Sequence, residues 1–230
     1  MPLLNTGNLI KIISFIFLVS LSFFATAEEK QRPMLGDNDR TKHPELIEND
    51  NLFIAQATRT FGTREHASEG YVERGFDLYS NNKLNESMER FNQAWLLDHE
   101  NPYVYLGFGL LLNKDELSCE ATTMFKLAHE KGLKESGFLA DYATTSTQCA
   151  LIKEKNKRTE LFNVSNELHN QASQTPNKSL RAYVYHSWAK SYFFQEKFLT
   201  SQEMLELSRN LGGTIDTALL ELIKEKLMGL

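Results

Sequence analysis

Two stretches of this chain repeat each other at a fixed offset of 34 residues. Tyr71 returns as Tyr105, Gly75 as Gly109, Leu78 as Leu112, Ser87 as Ala121, Phe91 as Phe125 and Ala94 as Ala128. A weaker copy lies 80 residues after the second, where Tyr185, Ala189, Tyr192, Ser201, Leu205 and Ser208 hold the same places. Self-similarity at this period marks stacked helix pairs, because one such unit cannot bury its apolar face alone. The expected class is all-α, a short stack closed at both ends by capping helices.

Apolar spacing sets the boundaries. In the first repeat, 68–101, one helix carries Tyr71, Gly75 and Leu78, and Asn81-Asn82 makes the turn. A second helix carries Leu84, Met88, Phe91, Ala94 and Trp95 as a stripe facing a neighbour. Thr63 stands ahead of the first repeat as a helix cap. A glycine at position 75 costs up to about 1 kcal/mol in a helix interior, so Gly75 implies close approach of the paired helix. The second repeat covers 102–135, with Asn101-Pro102 as a helix start and Gly132 as a stop. A degenerate repeat, 136–181, is longer than its neighbours, and the basic stretch Lys153–Arg158 displaces its second helix. The added length reads as a longer loop or longer helices, and the basic stretch as a solvated face. The last repeat is 182–213, closing a repeat domain over 68–213. Phe53, Ile54, Ala57 and Phe61 share one helical face and predict an N-terminal capping helix over 50–62. Ile215, Leu219, Leu222 and Ile223 predict a C-terminal one within 214–230.

The N-terminus carries a different signal. Lys11 precedes a short, mostly apolar run from Ile12 to Phe24, and Ala25-Thr26-Ala27 gives a small-x-small cleavage pattern. Residues 1–27 therefore read as a signal peptide, with an uncleaved anchor as the alternative. The run is short of the roughly 20 apolar residues a span needs, so no stable membrane insertion is expected after cleavage. Residues 28–49 are polar and rich in turn formers, and read as a flexible leader. The chain holds 25 basic and 30 acidic residues, a formal net charge of -5. That balance argues against a nucleic-acid partner or a polybasic membrane contact. The expected location is periplasmic or secreted.

Cys119 and Cys149 are an even pair in a chain read as exported, which permits a disulfide. The repeat register puts both near the turns at one edge of the stack. Closing that loop would contribute about 3.5 kcal/mol in the chain-entropy model. Two buried thiols packing as small apolar residues are the alternative.

The repeated Tyr, Gly, Leu, Ala, Phe and Ala positions resemble the tetratricopeptide repeat (TPR) family. The resemblance is strong over two repeats, fair in the last and weak in the degenerate one. It implies a right-handed superhelix of antiparallel helix pairs and a protein or peptide partner held in the concave groove. Carried over position by position, the groove face comprises Glu69, Val72, Phe76 and Tyr79, then Tyr103, Leu106, Leu110 and Asn113. The degenerate repeat gives Gly137, Ala140, Thr144 and Thr147, and the last repeat Tyr183, His186, Lys190 and Phe193. An aromatic-rich groove suits a peptide with apolar anchors. Packing of Phe76, Tyr79 and Phe193 against the terminal helices is the competing outcome. The subtype that reads chaperone tails places Lys and Asn where this chain has Val72 and Phe76, so a carboxylate clamp is not expected.

Catalytic patterns are missing from the sequence: there is no His-Glu-x-x-His, Gly-x-Ser-x-Gly, phosphate-cradling loop or Cys-x-x-Cys. The six histidines show no metal-ligand spacing. No cofactor, metal or enzymatic activity is expected. The leading expectation is an exported scaffold or adaptor in the cell envelope. The alternative is a structural subunit of an envelope assembly, docked through its convex face or C-terminal helix.

Overall fold

The computed structural model describes residues 43–214 and 216–229. The expected signal peptide, most of the polar leader, and Ile215 lie outside the described residues. Among those described there are ten helices and no strand. They are α1 (Pro44–Phe61), α2 (Arg64–Ser80), α3 (Leu84–Leu97), α4 (Pro102–Lys114), α5 (Ser118–Glu130), α6 (Ser136–Leu151), α7 (Lys155–Ala172), α8 (Lys178–Phe194), α9 (Phe198–Asn210) and α10 (Thr217–Met228).

The chain is all-α, a TPR-like stack of antiparallel helix pairs. The most extensive packing is within the pairs α2–α3, α4–α5, α6–α7 and α8–α9. The second helix of each pair then packs on the first helix of the next, and α10 takes that place after α9. At the other end α1 lies against α2 and α3.

The repeat is visible in the backbone itself. Three turns inside pairs use a non-glycine residue at positive φ: Asn82 at 57°, Glu116 at 62° and Glu196 at 60°. Each is followed by the same closing hydrogen bond, from Lys83 to Leu78, Leu117 to Leu112 and Lys197 to Tyr192. Between the helices of a pair, side chains satisfy carbonyls at equivalent places. Ser87 donates to the Gly75 carbonyl at 2.8 Å and Ser201 to the Ala189 carbonyl at 2.7 Å. Ser68 and Ser208 make a corresponding pair of bonds to Ala94 and Ala182.

The glycines are fitted to aromatic rings. A Cβ at Gly75 would stand 2.6 Å from the Phe91 ring, one at Gly107 2.3 Å from the same ring, and one at Gly109 2.3 Å from the Phe125 ring. Phe91, Phe108 and Phe125 are fully buried and form the centre of the core. No Cβ at those glycines could coexist with close-packed rings.

Several boundaries differ from the sequence expectation. α1 starts at Pro44 rather than at residue 50, because proline suits the first turn and Glu45 meets the positive end of the helix dipole. The degenerate repeat has no longer loop. Its helices have 16 and 18 residues against 13 and 13 in the pair before it. The basic stretch does not displace a helix; Lys155–Arg158 is the first turn of α7. Arg158, although exposed, donates to the carbonyls of Ala150 at 3.3 Å and Lys153 at 3.1 Å and so satisfies the end of α6. α8 begins at Lys178, four residues before the expected repeat start, because Asn177 caps it by accepting from the Leu180 amide.

Candidate functional site

The expected groove residues fall into three environments. Glu69, Val72 and Phe76 from α2 and Tyr103 from α4 come together on one cavity of about 540 Å³. Glu65, Glu73, Asp98, Glu100, Asn101 and Pro102 complete its lining. Local chemistry holds these walls in place. Arg64 donates to the Leu97 and Leu96 carbonyls, both at 2.9 Å, tying α2 to the end of α3. Asn101 caps α4 by accepting from Tyr103 N–H, and its amide donates to Ser68 on α2 at 3.0 Å. Phe76 meets Phe91 edge-on at 5.1 Å, so its ring is anchored in the core. Val72 is 6% exposed and belongs largely to the core.

The middle of the face is more occupied. Leu106 and Leu110 pack on the core as half-buried side chains, with Asn113 half-buried at the end of α4. Tyr79 is likewise half-buried on the core, and burial, then the nearby Asp141 carboxylate, raise its phenol pKa. In the degenerate repeat Ala140 and Thr147 are buried, with Gly137 and Thr144 half-buried. Two exposed tyrosines bridge successive helix pairs through their hydroxyls. Tyr103 donates to Glu135 at 2.9 Å and Tyr183 to Asp141 at 2.6 Å. The Glu135 bond raises the Tyr103 pKa; burial first, then Asp141, raises that of Tyr183. Desolvation raises the Asp141 carboxyl, opposed by the Tyr183 bond.

The C-terminal members face a different partner. His186 and Lys190 reach Asp216 at 3.1 and 3.5 Å. Asp216 caps α10 by accepting from Leu219 N–H, and that backbone bond is the main reason its pKa is lowered. Phe193 packs with Phe198 and with the cluster of Ala189, Leu219 and Ile223 that joins α8, α9 and α10. It serves the terminal helix rather than an open groove, which is the competing outcome for that residue.

Cys119, at the start of α5, and Cys149, near the end of α6, form a disulfide with Cα atoms 4.7 Å apart. It ties the second repeat to the degenerate one.

The sequence reading missed a buried polar network between α6, α7 and α8. Thr147 lies 2.6 Å from Ser191 and 2.8 Å from Ser165 through hydroxyls. His169 is fully buried, with Nδ1 2.9 Å from the Ser165 carbonyl and Nε2 3.0 Å from the Ser187 hydroxyl. A carbonyl only accepts, so the neutral ring carries its proton on Nδ1, while the Ser187 hydroxyl stands within reach of both Nε2 and the Val184 carbonyl. Burial pushes the His169 pKa down to about 4. Trp188 stacks on this ring and donates to Asn166, which exchanges amide bonds with Gln195. The serine–histidine contact does not make a nucleophile: Ser187 is buried, and the far nitrogen of His169 faces a backbone carbonyl rather than a carboxylate. The only available signal was the spacing of Ser165 with His169 and Ser187 with Ser191, four apart on two helices. Hydroxyls carry no burial signal, so spacing alone could not separate this face from a solvated one.

Among the described residues no group of three or more His, Cys, Asp or Glu could hold a metal ion, and no helix is long and apolar enough to cross a membrane. No family model and no curated protein matches the chain. The crystal structure of YrrB, a TPR protein with an unusual peptide-binding site, is similar at 15% identity and a TM-score of 0.35, covering 75% of this chain and 97% of that one. At that likeness the fold stands on the helix pairing described above.

Proposed function

We propose that this chain is an exported, non-enzymatic TPR scaffold that holds a protein or peptide partner in the cell envelope through its groove face. The observation that carries this is the 540 Å³ cavity, built from the first helices of two consecutive repeats around Val72, Phe76 and Tyr103. Its volume is in the range of ligand pockets. Export rests on Lys11, the apolar run and Ala25-Thr26-Ala27. Mass measurement of the purified protein tests export, with a mature N-terminus at Glu28 expected. Partner recovery from envelope extract tests the groove. Recovery should fall sharply with Phe76→Ala and Tyr103→Ala together, and recovery that survives both substitutions overturns the assignment.

A second reading, docking into an assembly through the C-terminal helix, is favoured by the outer face of α10. Leu222, Leu227 and Met228 there are 45%, 39% and 65% exposed, and Leu199 beside them is 67% exposed. Loss of partner recovery with Leu222→Ser and Leu227→Ser, but not with the groove substitutions, would select this reading.

A further inference from the structure

We infer that the cavity between α2 and α4 takes a basic peptide segment, in which Lys or Arg alternates with apolar side chains. This rests on the groove reading above and specifies its partner. The cavity joins two chemistries. Its floor is apolar, from Val72, Phe76 and Tyr103, and its rim is acidic, from Glu65, Glu69 and Glu73 on α2 with Asp98 and Glu100 beyond α3. No Lys or Arg among the described residues lines it. Lys131 pairs with Glu100 at 2.8 Å, but Glu65, Glu69, Glu73 and Asp98 form no ion pair among the described residues.

The sequence concentrates most of this charge on one face of α2. Glu65, Glu69 and Glu73 are spaced four apart there; Glu65 is favoured in the first turn by the helix dipole, but the like-charge pair Glu69–Glu73 is unfavourable for a helix. Of the two arginines on α2, Arg64 is turned away to the carbonyls that end α3, and Arg74 is not among the residues that line the cavity. An incoming cation relieves the repulsion, and its attraction is strengthened where the concave wall displaces water. The floor takes the apolar side chains. Tyr103 offers a ring face for a cation, and its hydroxyl bond to Glu135 fixes the ring's position. A bare metal ion does not fit the same features, since the carboxylates do not converge into a ligand group and a metal would leave the apolar floor unused.

Fluorescence anisotropy on the mature chain tests the inference. The probes are three labelled, acetylated and amidated octapeptides. The first alternates Lys or Arg with Phe or Leu; the second replaces each cation by Gln and the third by Glu. The basic peptide should bind saturably and most tightly. Its affinity should fall roughly tenfold or more in Glu69→Gln with Glu73→Gln, and fall steeply as NaCl rises from about 0.05 to about 0.3 M. Removing the exposed charges Glu221 and Glu225 on α10 as glutamines should change affinity less than about twofold. All four glutamates are exposed, and circular-dichroism melts verify that each variant is folded. Absence of saturable binding by the basic peptide, or binding indifferent to the α2 substitutions, overturns the inference. If the Gln or Glu peptide binds more tightly and loses binding in Phe76→Ala, the charge inference fails and the groove reading stands. If none of the three binds in a manner dependent on Phe76, both fall.

Discussion

Each of two buried residues sets a condition that can be measured. Gly109 faces the Phe125 ring so closely that a methyl group would overlap it, at 2.3 Å. Alanine is the better helix former by about 1 kcal/mol, so propensity and packing make opposite predictions. Packing should win, and Gly109→Ala should lose about 1–3 kcal/mol in urea unfolding. Phe125→Leu in the same chain should reduce the additional loss; a purely additive double mutant would show that the ring is not the cause. His169 is the second case. Its folded pKa, about 4, lies below the ordinary 6.5, so the unfolded chain binds more protons between those values. Stability is therefore held above pH 6.5 and lost as pH falls toward 4, by up to about 3 kcal/mol. The groups around the ring from α6, α7 and α8 are hydroxyls, carbonyls and the Trp188 ring, none of which titrates in that window. Urea titrations at pH 7 and pH 4.5 should show a steeper decline for the native chain than for His169→Gln. Equal declines would show that the histidine is not the acid-sensitive group.

At the level of single helices, the sequence was legible wherever the repeat constrained it. The 34-residue offset placed Gly75, Gly109, Phe91 and Phe125, and the structure brings them into contact as glycine–ring pairs. Thr63, Asn101 and Gly132 could be read as helix ends because their local chemistry is specific to helix ends. The degenerate repeat resisted. Its helices lengthened by a few residues each, and a polar network between α6, α7 and α8 stands beside the aromatic packing of Phe138 and Tyr142. The added length was legible as a longer loop or longer helices, and the structure has the second; the hydroxyl contacts leave no mark on apolar spacing. The candidate site was legible only in part: the groove positions were assigned, but not the acidic rim, since Glu65 and Glu73 stood outside the transferred register and Asp98 and Glu100 come from the connection after α3. The Cys119–Cys149 disulfide spans the junction into this irregular repeat. Alkylation without reductant, on freshly isolated protein, should leave both cysteines unlabelled. Serine at both positions should cost about 2–4 kcal/mol. Two labelled thiols would show that the bond does not form in the cell.

Over the whole stack, stability is shared between neighbours, and an end unit must be covered on one side. α10 shows how this chain does it. Leu219 and Ile223 are 7% and 0% exposed against Ala189, Phe193, Phe198, Met204 and Leu205, while Leu222 on the same helix is 45% exposed. The helix therefore has an inner face that closes the stack and an outer face that contributes nothing to it. The two faces make separable predictions. Ile223→Ala should cost about 2–4 kcal/mol, lowering the melting temperature by roughly 5–15 °C in a chain of this size. Leu222→Ala should stay within about 0.5 kcal/mol. Because contacts in a stack reach only adjacent units, hydrogen exchange in Ile223→Ala should rise most in α8 and α9 and least in α2 and α3. Uniform loss of protection along the chain would show that the repeats unfold as one cooperative body, so that α10 stabilises the distant groove as strongly as the pair it touches.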